Sequence, residues 1–248
     1  MYHRVRGLVL RGVPYKENAL VLTLLTAELG RVTVSAYGAR GRSGRLAAGT
    51  QTLCWSEFVL EERRGRLTCG EASVLESFEG LRKELSALAL GAYFARLLEL
   101  VCAENVPDEP SLRLGLNALY AVGGALWPQE HIKAAFELRL LAGAGFRPRL
   151  ESCAVCGAAE PAEPMFSPLA GLVHCRGCGA GVQGASLPLD AESLAAMRYV
   201  TDAPPKRVFS RPPVGEDSAR RFHRAAESFA RAQLELPGAA LDYWKKVR

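Results

Sequence analysis

The stretch Gly30-Arg-Val-Thr-Val-Ser-Ala-Tyr37, followed by Gly38-Ala-Arg-Gly-Arg-Ser-Gly-Arg45, decides the reading of the N-terminal part of this chain. Its first half alternates polar and apolar residues at period two, with Val32, Val34 and Ala36 on one face, as a half-buried strand requires. Its second half is all Gly, Arg and small residues, which is loop chemistry. Outward from it lie four more short strand patterns: Val5–Arg11, Ala19–Leu25, Leu53–Glu61 and Arg66–Ser77, the last two joined through a turn at Gly65. Five short strands in about eighty residues predict a small closed barrel of the oligonucleotide-binding type.

At Gly80 the period changes. Leu81, Leu85, Leu88, Ala92, Ala95, Leu98 and Cys102 recur at helical spacing and predict a helix over 81–104. Pro107 and Pro110 end it. Ser111 is the expected cap of a second helix, to about residue 126, and Pro128 opens a third, over 129–143. Further helices are predicted over 190–199 and 216–234. The expected class is therefore α+β and multidomain: a five-stranded barrel over 1–80, a helical domain from 81–149 and 184–248, and an inserted metal-binding segment over 150–183.

That segment carries Cys153-Ala-Val-Cys156-Gly and Cys175-Arg-Gly-Cys178-Gly, with eighteen residues between the pairs. Two residues between cysteines let both sulfurs reach one ion from a tight turn, and two such knuckles complete a tetrahedral site. The spacing predicts one structural Zn2+ on Cys153, Cys156, Cys175 and Cys178, with no open coordination position for water or substrate. Cys54, Cys69 and Cys102 read as core residues. His174, beside Cys175, is the one alternative ligand.

Charge is segregated. Residues 1–50 hold eight Lys or Arg against Glu17 and Glu28, whereas residues 51–80 hold six Glu against three Arg. A basic N-terminal segment predicts a polyanionic partner. The candidate DNA-binding residues are Arg31 and Arg40, bracketing the third strand, Arg42 and Arg45 along the loop, and Arg11 and Lys16 nearby. Tyr2, Tyr15, Tyr37 and Trp55 are the aromatics available to stack bases, and Arg220, Arg221 and Arg224 form a reserve basic set. No dinucleotide fingerprint, phosphate loop, nucleophile elbow or His-x-Glu pair occurs, so no enzyme is expected. The apolar N-terminal stretch is interrupted at Arg11, and no uncharged run is long enough to span a bilayer, so a cytoplasmic protein without a membrane partner is expected.

Several segments resemble a known family. Gly7-Leu-Val-Leu10, Tyr15-Lys-Glu-Asn18, Leu24-Leu-Thr26-Ala-Glu-Leu-Gly30 and Tyr37-Gly-Ala-Arg40 are similar to the N-terminal barrel of the bacterial recombination mediator family RecO. Phe136-Glu-Leu-Arg-Leu-Leu141, Gly145-Phe-Arg-Pro148, Phe166-Ser167, Gly171 and the two knuckles continue the likeness in the same order. The resemblance implies a non-enzymatic, nucleoid-associated DNA-repair protein that binds single- and double-stranded DNA and anneals complementary strands. It implies RecR, RecA and the acidic C-terminal tail of single-strand-binding protein as partners. A different class stays open on the residues alone: a protein–protein adaptor whose basic barrel binds an acidic partner, with DNA binding incidental.

Overall fold

Strand β1 (Tyr2–Tyr15) is fourteen residues long and serves as two strands in one. In the computed structural model, which describes residues 1–15, 17–40, 46–234 and 239–248, its first half pairs antiparallel with β4 (Trp55–Arg63) and its second half with β2 (Ala19–Thr26). A bulge between Val9 and Arg11 lets one strand meet both partners, since an extra residue bends and twists the ladder. Strand β3 (Gly30–Tyr37) pairs with β2, and β5 (Arg66–Glu76) pairs with β4. A short parallel contact, Val34 to Leu67 and Ser35 to Thr68, closes the barrel in the order β1-β2-β3-β5-β4. The five-stranded barrel expected from the alternating patterns is present. Val5, Val9, Leu22, Leu24, Val32, Val34, Phe58 and Leu60 fill its interior.

The helical reading needs two corrections. The chain does not enter a helix at Leu81. Phe78 turns it through a left-handed conformation (φ 50°), and a 3-10 turn, Glu79–Lys83, precedes helix α1 (Leu85–Val101). The phase is therefore set from Leu85 onward. Ala87, Leu90, Gly91, Phe94, Ala95, Leu97 and Leu98 are buried, whereas Leu85 is 56% exposed and Ala92 is also exposed. Helix α2 (Glu109–Gly123) is capped by Asp108, whose carboxylate accepts from the Ser111 backbone N–H at 3.0 Å; Ser111 itself lies inside the first turn.

By compactness the chain falls into two units that meet after Gly124. One unit holds residues 1–124 with 240–248, so the barrel, α1 and α2 belong together. Helix α6 (Ala239–Val247), which buries Leu241 and Trp244, lies almost wholly in this unit. The second unit, 125–239, is built on α3 (Gln129–Gly143), α4 (Ala191–Asp202) and α5 (Glu216–Gln233). Helix α3 is its central member: even Lys133 and Glu137 are buried on it, with Lys133 paired to Glu137 at 2.9 Å and to Glu227 of α5 at 3.0 Å. The same unit carries a small sheet of β6 (Pro164–Ser167), β7 (Leu172–Cys175) and β8 (Leu187–Pro188). Among the described residues, no helix is long and apolar enough to cross a membrane.

Candidate metal centre and nucleic-acid interface

The two cysteine pairs come together on the β6–β7 hairpin. Ala154 N–H donates to the Val173 carbonyl at 3.0 Å and Arg149 N–H to the Gly171 carbonyl at 2.8 Å, which holds the first knuckle against β7. The second knuckle follows directly, as a 3-10 turn over Arg176–Cys178. As a result all four sulfurs lie within 4.8 Å of one another, with Cys156 and Cys175 at 3.9 Å. Zinc–sulfur bonds of about 2.3 Å imply sulfur–sulfur edges of about 3.8 Å in a tetrahedron, so the cluster fits such an ion.

The two glycines that follow the knuckles do different jobs. Gly157 has φ +77°, the left-handed conformation expected there, and its N–H donates to the Cys153 carbonyl at 2.9 Å. Gly179 is ordinary right-handed backbone (φ −70°), so conformational freedom is not its role. A Cβ there would lie 3.2 Å from the His174 ring, a tight approach that the ring would have to relieve by a few tenths of an ångström.

Backbone donors favour the sulfurs unequally. Cys153 Sγ accepts from the N–H groups of Cys156 (3.5 Å) and Cys175 (3.4 Å), and Cys175 Sγ accepts from Ala162 (3.3 Å). The Cys156 N–H is the chief reason that the Cys153 thiol is lowered to about 6. Hydrogen bonding to Cys156 pushes Cys178 up to about 12, and burial raises Cys175. A cation among them reverses that resistance, because metal binding displaces thiol protons. His174 is not part of the cluster. Its Nδ1–H donates to the Cys175 carbonyl and its Nε2 accepts from the Ser186 hydroxyl, both at 2.8 Å, which occupies both ring nitrogens. The other three cysteines are buried, and burial pushes Cys69 to about 11 and Cys102 to about 12, as inert core thiols behave.

The candidate DNA-binding residues are placed less uniformly. Lys16, Arg42 and Arg45 lie outside the described residues. Arg40 is exposed, and its backbone N–H reaches the Asn18 carbonyl at 3.5 Å, which sets it beside the β1–β2 turn. Arg11 is over half exposed but pairs with Glu99 of α1 at 3.3 Å. Arg31 donates through Nε to the Cys102 carbonyl at 2.8 Å, and its own carbonyl accepts from Asn105 N–H at 2.9 Å. Arg31 thus ties β3 to the segment that follows α1. Alternation along β3 correctly put its side chain outward but gave no sign of that partner. In the reserve set, Arg220 pairs with Glu216 and Asp217, Arg221 braces Asp190 and the Leu189 carbonyl, and Arg224 is exposed. Of the aromatics, Tyr2 bonds to Glu61 at 3.3 Å in acidic surroundings, and Trp55 is half-buried. Tyr15 and Tyr37 are 45% and 54% exposed.

Comparison with known proteins divides the chain where the barrel ends. A family model described as "Recombination protein O N terminal" matches residues 1–78, and one described as "Recombination protein O C terminal" matches residues 82–241. A protein named DNA repair protein RecO from Acetivibrio thermocellus is 30% identical over 99% of this chain and 97% of its own length. Proteins of the same name from Anaeromyxobacter sp. (strain K) and Rubrobacter xylanophilus are 34% and 31% identical. They match over 98% and 96% of this chain and 96% and 94% of their own lengths. This chain belongs to the recombination protein O (RecO) family of DNA-repair and recombination proteins.

Proposed function

We propose that the protein is a DNA-binding recombination mediator. It binds single- and double-stranded DNA, anneals complementary strands and, with RecR, loads RecA onto DNA coated by single-strand-binding protein, whose acidic C-terminal tail it contacts. It works in the cytoplasm at the nucleoid and performs no covalent chemistry. The observation that carries the reading is the family match across both parts of the chain, on a chain whose first barrel strands hold the excess of positive charge.

The barrel contacts the phosphate backbone rather than base edges. Arginines on loops and strand ends meet phosphates without a fixed helix to enter a groove. Arg40 leads this set, with Arg42 and Arg45 following it in sequence and Lys16 on the β1–β2 connection. Arg11 and Arg31 contribute what their contacts to Glu99 and Cys102 leave free. Cys153, Cys156, Cys175 and Cys178 hold one Zn2+, which when bound cross-links the two knuckles. Around it this chain's own groups fix the site: the N–H donors to Cys153 and Cys175, and His174 behind the second knuckle.

Annealing of complementary oligonucleotides, each first coated with single-strand-binding protein, tests the function. The expected result is acceleration by this protein over the coated strands alone. If coated and bare strands both anneal at their uncatalysed rates, the mediator reading fails.

A further inference from the structure

On the outer face of the barrel, Tyr15 of β1 and Tyr37 of β3 both pair in register with Ala19 of β2. Residues in register across neighbouring strands point to the same side of a sheet, and β3 fixes which side. Val32, Val34 and Ala36 are buried in the barrel, so Tyr37 faces out. Strand spacing puts the two tyrosine Cα atoms about 10 Å apart, with Ala19 between them in register. Ala19 is buried, and the two tyrosines are 45% and 54% exposed.

Part of the same outer face is covered. Leu25 and Thr23, which point outward from β2 further along, are buried, and Arg11 is bound to α1 through Glu99. Toward the end that carries Val13, Tyr15 and Tyr37, these three outward residues are exposed. Gly38 leaves β3 in a left-handed conformation with no atom of the described residues within 4 Å of where a Cβ would stand, and Arg40 is held beside Asn18 on the adjoining turn. Glu17 is the acid on that turn. Two partly exposed tyrosines beside an arginine bring π-surface and positive charge together, the pairing that single-stranded nucleic acid recognises.

We propose that Tyr15 and Tyr37 are a base-stacking pair that makes this end of the barrel selective for unpaired DNA, with Arg40 on the adjoining phosphates. The inference rests on the DNA-binding reading above. Bases in a duplex have both faces covered by their neighbours, so the pair takes single strands and leaves duplexes to the phosphate contacts alone. Tyr2 differs in that its hydroxyl is held by Glu61, which also pairs with Arg63.

The test compares binding of the full-length protein to an oligothymidylate of about 15 nucleotides, enough for one barrel, and to an abasic strand of equal length. The two strands carry the same phosphates and differ only in bases. The wild type is expected to favour the oligothymidylate by about tenfold or more. Tyr37→Ala and Tyr15→Ala should each pull that ratio toward one while binding of the abasic strand is unchanged, and Tyr37→Phe should preserve it. Unaltered thermal melting of the alanine variants separates this from misfolding. A ratio that survives both alanine substitutions overturns the stacking pair, as does a wild type that binds both strands equally well. That second outcome leaves the phosphate contacts standing. A wild type that binds neither strand overturns the stacking pair and the DNA-binding reading together.

Discussion

Arg31 donates through Nε to the carbonyl of Cys102 at 2.8 Å, across seventy-one positions of sequence, and so ties the third barrel strand to the end of α1. A charged donor to a partly buried carbonyl contributes about 1.5–3 kcal/mol, and its removal leaves the carbonyl unsatisfied. Arg31→Ala is therefore expected to lower stability by that amount in urea melts. Arg40→Ala, exposed and without an ion pair among the described residues, should change it by no more than about 0.5 kcal/mol. Equal melts for the two variants would show that the Arg31 hydrogen bond contributes nothing.

Gly30 lies one residue before, with φ +68°, and a Cβ there would stand 1.9 Å from the Val106 carbonyl oxygen. The obstacle is backbone on the same segment that Arg31 holds. Gly30→Ala should cost more than Arg31→Ala, about 3 kcal/mol or above, through strain and displacement combined. A melt within about 1 kcal/mol of wild type would mean that the segment moves aside at little cost.

The zinc assignment predicts one ion per chain by elemental analysis of protein purified without chelator, with Cys156→Ser reducing it. The segment around the knuckles is too short and loop-rich to hold together on its own core. Strong chelation should therefore expose it to protease between residues 150 and 183, while the barrel residues 1–80 stay protected. Metal-free protein with an intact knuckle segment would contradict the assignment.

His131 gives the fold a pH dependence of known sign. Burial lowers its pKa below the ordinary histidine value of about 6.5, its Nδ1 has no hydrogen-bond partner, and it packs edge-on against Phe222 and His223. Between the lowered folded value and 6.5 the unfolded chain binds the extra proton. The contribution is thus fully present above about pH 6.5 and is lost as pH falls through that window. His131→Phe should flatten the fall of the melting temperature between pH 7 and pH 5. An unchanged profile would place the acid sensitivity elsewhere.

Much of this architecture could be read from residue order, and the exceptions share a cause. The strands were legible because Val32, Val34 and Ala36 alternate with polar residues, and the knuckles because sulfur ligands must recur at a fixed spacing. The buried face of α1 was not. Its phase depends on the left-handed turn at Phe78, which no local pattern in that stretch announces. Nor was the partner of Arg31: an arginine at an outward strand position looks the same whether it meets solvent or the carbonyl of Cys102. The start of α2 was legible only in part. Pro110 marks its first turn, but Asp108 and Ser111 both have capping side chains, and the folded geometry selects Asp108. Local periodicity reports which side a residue faces, and tertiary contacts decide what it finds there.

The central claim, that the loop end of the barrel carries phosphate contacts to single-stranded DNA, is tested most directly by the salt dependence of oligothymidylate binding. Each phosphate neutralised on a single strand contributes about 0.7 to the slope of log K against log salt. Wild-type binding should weaken linearly on that plot. Replacing Arg40 and Arg42 by Ala should lower the slope by about 0.7 for each phosphate no longer neutralised and weaken binding to all sequences alike. A double variant with unchanged affinity and unchanged slope would place the DNA path away from this end of the barrel.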